Sequence, residues 1–268
     1  MTEDTTTAPR PLALVTGAST GIGRALAHVF ADNGFDLVIA ADDDAITSAA
    51  EALRAGGCTV TAEQVDLSTA EGVEALYRTA AGLGTVSAAA LNAGVGVGGR
   101  FDETDLDRDL GVVDLNCRST VHLAKLLTRD MVRAGEGRLL FTASIAATTP
   151  GPYHATYAAS KAFVHSFAEA IRVELADTGV TVTSLMPGPT DTDFFERADM
   201  LDTRLGAMKG KDDPDDVALD GFAALMAGKD HVVAGSVKNK VHTTTATLLP
   251  DSKVAAGMGK MTEPGSAD

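Results

Sequence analysis

A tyrosine and a lysine four positions apart, Tyr157 and Lys161, form a pair that could do acid–base chemistry. On a helix, residues at this spacing project from one face, so their polar ends can reach one site. A free phenol has a pKa near 10, and a nearby ammonium favours the phenolate and so lowers that pKa. Taken alone, such a pair usually lies on the surface, so the interpretation depends on its companions.

Ser144 is the first companion. It lies 13 positions before Tyr157 and directly after the apolar run 138–142, which predicts a strand. The carboxyl ends of parallel strands are where ligands bind in open α/β sheets. The sequence therefore predicts that Ser144 lies near the Tyr157 pair.

A glycine-rich loop supplies the second companion. The run Thr16-Gly17-Ala-Ser-Thr-Gly21-Ile22-Gly23 follows an apolar segment and precedes a helical pattern. Glycines permit a tight turn there and allow backbone N–H groups at the start of a helix to approach a pyrophosphate. No Gly-Lys-Ser/Thr follows, so the loop does not match the triphosphate-binding P-loop.

Alternating strands and helices must position these residues. Apolar runs predict strands at about 12–16, 36–41, 58–65, 86–91, 138–142 and 180–185. Helical spacing predicts helices at about 22–33, 45–54, 69–80, 105–134 and 156–177. This alternation predicts an α/β fold, a Rossmann-like doubly wound parallel sheet with helices on both faces. We expect a disordered leader over 1–10, one Rossmann-fold catalytic domain over 11–230, and a C-terminal extension over 231–268 that acts as a lid or an interface.

Composition excludes several classes of function. Lys and Arg number 22 against 37 Asp and Glu, a net charge of −15 that disfavours binding to nucleic acid and anionic membranes. The two cysteines, Cys58 and Cys117, cannot form a disulfide framework, and no metal-ligand spacing is present. Without a signal peptide or an apolar run of bilayer length, the expected location is the cytoplasm.

Five ordered motifs resemble the short-chain dehydrogenase/reductase family. They are the glycine loop, Asn92-Ala93-Gly94, Ser144, Tyr157-Ala-Ala-Ser-Lys161 and Pro187-Gly188, and they cover about residues 11–195. The resemblance implies a single Rossmann-like domain that transfers hydride between a nicotinamide cofactor and the carbon of a secondary alcohol or ketone.

The resemblance also implies roles for four catalytic residues. Tyr157 would be the acid/base that exchanges a proton with the substrate oxygen, and Ser144 would hydrogen-bond the same oxygen. Lys161 would bind the nicotinamide ribose and lower the phenol pKa. Asn116 matches a helix asparagine that holds a water in the proton relay.

A larger set is implied to bind the cofactor. Asp66 would meet the adenine amino group, and Thr192 would lie near the nicotinamide carboxamide. The full set is Gly17, Ser19, Thr20, Gly21, Ile22, Gly23, Asp42, Asp66, Leu67, Asn92, Ala93, Gly94, Tyr157, Lys161, Pro187, Gly188 and Thr192.

The end of the second strand favours NAD over NADP. Asp42 follows it, where members that use the phosphorylated cofactor usually place arginine. A carboxylate there can accept hydrogen bonds from ribose hydroxyls. The same carboxylate would repel a 2′-phosphate. For two unit charges 4 Å apart at an effective dielectric of 20, the repulsion energy is about 4 kcal/mol, and solvent screening reduces it. Against this, NAD-specific members carry the acid at the position of Ala41, and Arg24 could reach a phosphate.

The leading hypothesis is therefore an oxidoreductase, with a non-catalytic NAD-binding redox sensor as the alternative and a sugar-nucleotide epimerase or dehydratase ranked below both. The apolar residues that follow Pro187 favour a bulky, largely apolar substrate under a lid, or else a helix pair packed on the core. They are Phe194, Phe195, Met200, Leu201, Leu205 and Met208.

His154 either lines the substrate mouth or is a solvated loop histidine. By resemblance, the chain is expected to form a homodimer or homotetramer.

Overall fold

Seven parallel strands lie at the centre of the structure, a computed structural model that describes residues 10–236, 239 and 250–267. They run in the order β3-β2-β1-β4-β5-β6-β7. Their bounds are β1 Leu12–Thr16, β2 Asp36–Ala41, β3 Val60–Gln64, β4 Val86–Leu91, β5 Gly137–Thr142, β6 Val180–Met186 and β7 His231–Val233. This confirms the predicted doubly wound parallel sheet.

Helices cover both faces of the sheet. Those described are α1 Gly21–Asp32, α2 Ala45–Ala55, α3 Ala70–Leu83, α4 Leu106–Val113, α5 Thr120–Ala134, α6 Ala155–Glu174, α7 Phe194–Arg197, α8 Pro214–Met226 and α9 Asp251–Thr262. A π-helical turn, Asp114–Ser119, joins α4 to α5, and a 3₁₀ turn, Ile145–Thr148, follows β5. Among the described residues, none of these helices is both long and apolar enough to span a bilayer.

Two apolar cores lie on opposite faces of the sheet. One packs α1, α2 and α8 against it, with Phe30 edge-on to Phe35 and Phe222 at 5.2 and 5.0 Å between ring centres. The other packs α3, α5 and α6 around Phe141 and Met131. Because the central strands β1, β2, β4 and β5 are buried on both faces, their residues are mostly apolar, as the short apolar runs of the sequence indicate, while the edge strands β3 and β7 are partly exposed.

The C-terminal third departs most from the prediction. Helix α8 was not predicted, although Asp213 caps it by accepting a hydrogen bond from the Asp215 backbone N–H and Pro214 opens its first turn. Strand β7 pairs with β6 and completes the sheet, so the sheet continues past the boundary expected at residue 230. The expected leader, apart from Arg10, and part of the extension, residues 237–238, 240–249 and 268, lie outside the described residues.

The strand order reverses between β1 and β4. Connections from these neighbours leave in opposite directions, which opens a crevice beyond their carboxyl ends. The glycine loop follows β1, and Asn92-Ala93-Gly94 follows β4. The fold therefore brings both predicted cofactor motifs to one crevice.

Candidate active site

A cavity of about 770 Å³ opens at this crevice. It gathers the predicted site residues from seven separate stretches of chain. Those that line it are Gly17, Ser19, Thr20, Gly21, Ile22, Gly23, Asp42, Asp66, Leu67, Asn92, Ala93, Gly94, Ser144, Tyr157, Lys161, Pro187, Gly188 and Thr192. Asn116 is the predicted site residue that does not line it.

Two glycines of the glycine loop, Gly17 and Gly23, have no room for a Cβ atom. A Cβ on Gly23 would lie 2.0 Å from the Gly17 carbonyl oxygen, and one on Gly17 would lie 2.9 Å from Ala93 Cα. Gly17 also has φ of +65°, a left-handed conformation that glycine adopts without strain. The Thr16 hydroxyl accepts hydrogen bonds from the backbone N–H groups of Asn92 and Ala93 at 2.9 and 3.0 Å. The two loops therefore form one rigid cradle.

The first turn of α1 faces this cradle. Thr20 is its N-cap residue, and its side chain makes no capping hydrogen bond, so the first N–H groups have no side-chain acceptor. The N-terminus of a helix favours negative charge. The cradle that added Cβ atoms would fill, together with this helix end, fits the pyrophosphate of a dinucleotide.

Three carboxylates border the cradle at the end of β2. Asp42, Asp43 and Asp44 all line the cavity. Asp43 accepts hydrogen bonds from the Ser19 hydroxyl at 2.9 Å and from the Ala45 backbone N–H at 3.1 Å, while the Asp42 side chain is exposed. Arg24 is exposed and does not line the cavity. Negative charge therefore dominates this end.

Tyr157 and Ser144 meet at the other end. Ser144 follows β5 and accepts a hydrogen bond from the Ala146 backbone N–H at 3.1 Å, and Tyr157 is in the first turn of α6. Burial raises the pKa of Tyr157 to about 12, and a hydrogen bond with Ser144 partly opposes that rise. The phenol therefore holds its proton at neutral pH and can donate it. Its pKa lies above the ordinary value, contrary to the lowering that the resemblance implies for Lys161.

Lys161 lies one helical turn after Tyr157, as the spacing predicts. Its ammonium donates a hydrogen bond to the Thr142 carbonyl at 2.8 Å, and burial lowers its pKa to about 8. A Cβ on Gly94 would lie 3.1 Å from Nζ, so Gly94 leaves the ammonium room. The group is charged at pH 7.

Asn116 lies behind the site, in the π-helical turn. Its Oδ1 accepts from the Val95 backbone N–H, and its Nδ2 donates to the Val95 carbonyl and the Ser160 hydroxyl, each at 2.9 Å. These bonds tie the loop after β4 to α6. π-Helical turns are frequent at functional sites, and this one turns the amide toward Val95.

Comparison with known proteins agrees with this geometry. The family model described as short chain dehydrogenase matches residues 11–200. The chain belongs to the short-chain dehydrogenase/reductase family. It is 40% identical over 189 residues to the 1-deoxy-11-beta-hydroxypentalenate dehydrogenase of Streptomyces exfoliatus, covering 69% of each chain.

Solved structures of short-chain dehydrogenases have the same fold as this chain. A short-chain dehydrogenase from Sphingobium yanoikuyae in complex with NADPH aligns with TM-score 0.78 and 26% identity, over 83% of this chain and 87% of that one. A Burkholderia phymatum short chain dehydrogenase/reductase in complex with NAD aligns with TM-score 0.80 over 95% and 97%, and at 24% identity it supports the fold alone. This short-chain dehydrogenase is therefore an oxidoreductase by family.

Apolar side chains line much of the cavity around Tyr157 in this short-chain dehydrogenase. Phe194 lies 4.9 Å from Tyr157 between ring centres. Four of the six apolar residues singled out after Pro187 line the cavity, while Leu201 and Met208 do not; Met258 of α9 also lines it. The segment forms the short helix α7 and turns with a small apolar cluster of its own, so the alternative of a helix pair packed on the core is wrong.

The sequence did not predict that Met258 lines the cavity or that Asp43 accepts a hydrogen bond from Ser19. Met258 is 101 positions beyond Tyr157, and no local pattern indicates that the last helix folds back onto the site. For Asp43, the serine in the glycine loop was a usable signal, because its hydroxyl needs an acceptor. His154 lines the cavity and is 5% exposed, so the interpretation as a solvated loop histidine is wrong.

Proposed function

We propose that this chain is an NAD(P)-dependent oxidoreductase that transfers hydride between a nicotinamide cofactor and the carbon of a secondary alcohol or ketone, with Tyr157 as the acid/base. The observation that carries the proposal is the convergence of Ser144, Tyr157 and Lys161 in the same cavity as the glycine cradle. A non-catalytic NAD sensor, the alternative, needs the cradle but does not need a buried proton donor beside it.

Different residues of the cavity would bind different parts of the cofactor. The first turn of α1 and the glycine loop would hold the pyrophosphate, Asp66 and Leu67 the adenine, and Asn92, Ala93 and Gly94 the adenosine side of the cofactor. Lys161 would bind the nicotinamide ribose, and Pro187, Gly188 and Thr192 would lie along the nicotinamide. The bound cofactor supplies or accepts the hydride.

Tyr157 and Ser144 handle the proton. In ketone reduction, the Tyr157 hydroxyl donates its proton to the substrate oxygen, while the Ser144 hydroxyl donates a hydrogen bond to the same oxygen. The Lys161 ammonium stabilises the phenolate that remains. Asn116 would hold a water in the proton relay, and its hydrogen bonds to Val95 and Ser160 tie the loop after β4 to the catalytic helix α6.

NAD is favoured over NADP, with Asp42 as the selector. Asp42 and Asp44 line the adenosine end, and Asp43 is fixed there by Ser19 and Ala45. In the described part of the chain, the lysine and arginine that line the cavity are Lys161 and Arg197, and neither belongs to the β2 end. A 2′-phosphate would meet carboxylates there.

The substrate is proposed to be a bulky, largely apolar ketone or secondary alcohol, because aromatic and aliphatic side chains surround Tyr157. We also propose a homodimer or homotetramer. Leu106, Leu110 and Val113 are 69, 50 and 44% exposed along one side of α4, next to α6. A reducing cytoplasm suits Cys58 and Cys117, which are both free thiols.

The test is turnover. Purified protein is mixed with NADH or NADPH and a panel of cyclic and aryl ketones, and the loss of reduced cofactor is followed by absorbance. Cofactor fluorescence measures binding separately. Turnover of at least one ketone supports the oxidoreductase. Tight binding of reduced cofactor without turnover of any ketone in the panel supports the sensor.

A further inference from the structure

His154 is a buried polar side chain that the proposed mechanism does not use. It precedes α6, lines the cavity and lies 6.1 Å from Tyr157 between ring centres. Gly151 makes room for it, since a Cβ there would lie 2.7 Å from His154 Nε2. The imidazole therefore lies among apolar residues, one helical turn before the proton donor.

The protein fixes which ring nitrogen carries the hydrogen. Nδ1 lies 3.0 Å from the Pro152 carbonyl oxygen, which can only accept, so Nδ1 must donate. Burial lowers the pKa of His154, which keeps the ring neutral at pH 7. A neutral ring with hydrogen on Nδ1 leaves a lone pair on Nε2.

That lone pair is available to a ligand. No described residue hydrogen-bonds Nε2. Among the described residues, the buried side-chain atoms that lack a partner are Glu169 Oε1 and Thr181 Oγ1, so Nε2 is not sealed by protein. The residue itself is 5% exposed and lines the cavity, so a ligand bound in the cavity is the candidate partner for Nε2.

The last helix holds this arrangement in place. Thr262, 1% exposed on α9, donates from its hydroxyl to the same Pro152 carbonyl at 2.8 Å. The Leu205 backbone N–H donates to the Met261 carbonyl at 2.8 Å, which anchors α9 to the apolar wall. A hydrogen-bond acceptor that is fixed in an apolar cavity favours substrates that carry a hydrogen-bond donor. A substrate without a donor leaves the acceptor unpaired in the complex and therefore binds more weakly.

We propose that His154 is a specificity-determining residue whose Nε2 accepts a hydrogen bond from a hydroxyl or N–H group of the substrate. This inference rests on the proposed function and narrows its substrate class. The preferred substrate is an apolar ketone or secondary alcohol that carries one further polar hydrogen within reach of His154.

The first test needs no turnover. The whole protein is labelled with ¹⁵N-histidine, and the His154 signals are assigned by their loss in His154→Phe. At pH 7 we expect a neutral ring with hydrogen on Nδ1. With NAD bound, the Nε2 signal should move when 2-, 3- or 4-hydroxycyclohexanone is added, for at least one isomer, and not with the matching methylcyclohexanone. Hydrogen on Nε2, or no response specific to a hydroxyl, overturns the proposal.

The second test is kinetic. The ratio of kcat/KM for the responding hydroxycyclohexanone over its methyl counterpart should fall about tenfold in His154→Phe, with the methyl ketone little changed. His154→Gln, which keeps an acceptor, should restore part of the ratio, and His165→Phe, which lies outside the cavity, should leave it unchanged. An unchanged ratio in His154→Phe overturns the inference about His154 and leaves the oxidoreductase proposal intact. If the wild type turns over neither ketone, that result contradicts the proposed function. The NMR experiment then decides the inference about His154.

Discussion

The ammonium nitrogen of Lys161 lies 5.8 Å from the centre of the Tyr157 ring, with both side chains buried in one cavity. Burial acts on the two groups in opposite directions, raising the pKa of Tyr157 to about 12 and lowering that of Lys161 to about 8. At pH 7 the phenol is therefore neutral and the ammonium charged. This protonation state is the one that ketone reduction requires.

Replacing Tyr157 with Phe should remove the proton donor and keep the ring packing against Phe194. Turnover is expected to fall by about 10²–10⁴-fold, the usual contribution of general acid–base catalysis. Binding of reduced cofactor, followed by fluorescence, should be largely retained. Near-normal turnover in the variant would remove Tyr157 from the mechanism.

Lys161 should make stability depend on pH. Its pKa is about 8 when folded against an ordinary 10.5, so the unfolded chain binds more protons between these values and the free energy of unfolding rises with pH there. Between pH 7 and pH 9.5 the gain is about 2 kcal/mol. Below pH 8 it is absent.

The measurement compares urea unfolding of the wild type and Lys161→Met at both pH values. Because the two proteins share every other titrating group, the difference in their pH dependence reports Lys161. Parallel curves would show that the buried ammonium keeps its ordinary pKa.

Cofactor choice should respond to Asp42. Asp42→Arg is expected to shift the ratio of kcat/KM for NADH over NADPH at least about tenfold toward NADPH, because a repelling carboxylate becomes a phosphate partner. Glu51→Arg makes the same charge change on the exposed side of α2, outside the cavity, and serves as the matched control. A native preference for NADPH, or equal shifts in both variants, contradicts the role of Asp42.

The cradle should tolerate no side chain. Gly23→Ala places a Cβ 2.0 Å from the Gly17 carbonyl, so the loop must move, and we expect at least about tenfold weaker NADH binding with a lowered Tm. Gly82→Ala lies in α3 with no atom within 4 Å of the added Cβ. It should stabilise the protein by about 0.5–1 kcal/mol and leave NADH binding unchanged. Equal behaviour of the two variants would mean that the loop is not a cradle.

Local patterns were enough for the elements that position the site. Strands β1, β2 and β4 have the predicted bounds, since short apolar runs bounded by glycine or polar residues are strong local signals. The spacing of Tyr157 and Lys161 likewise depends on residues within one turn of each other, whereas the glycine loop also packs against Ala93, 76 positions after Gly17. Strand β7 and helix α8 were missed, because three residues of strand and a helix with little polar contrast carry weak patterns.

The sequence by itself therefore determined the sheet, the glycine loop and the spacing of Tyr157 and Lys161. The tertiary structure decided which groups surround them. Asp43 reaches Ser19 across 24 positions, Asn116 reaches Val95 across 21, and Thr262 reaches Pro152 across 110. Such contacts exist only once the chain has packed, because a hydrogen bond between distant residues leaves no periodicity for a sequence pattern to report. The tautomer of His154 is set in the same way, by the Pro152 carbonyl, to which Thr262 of the last helix also donates a hydrogen bond.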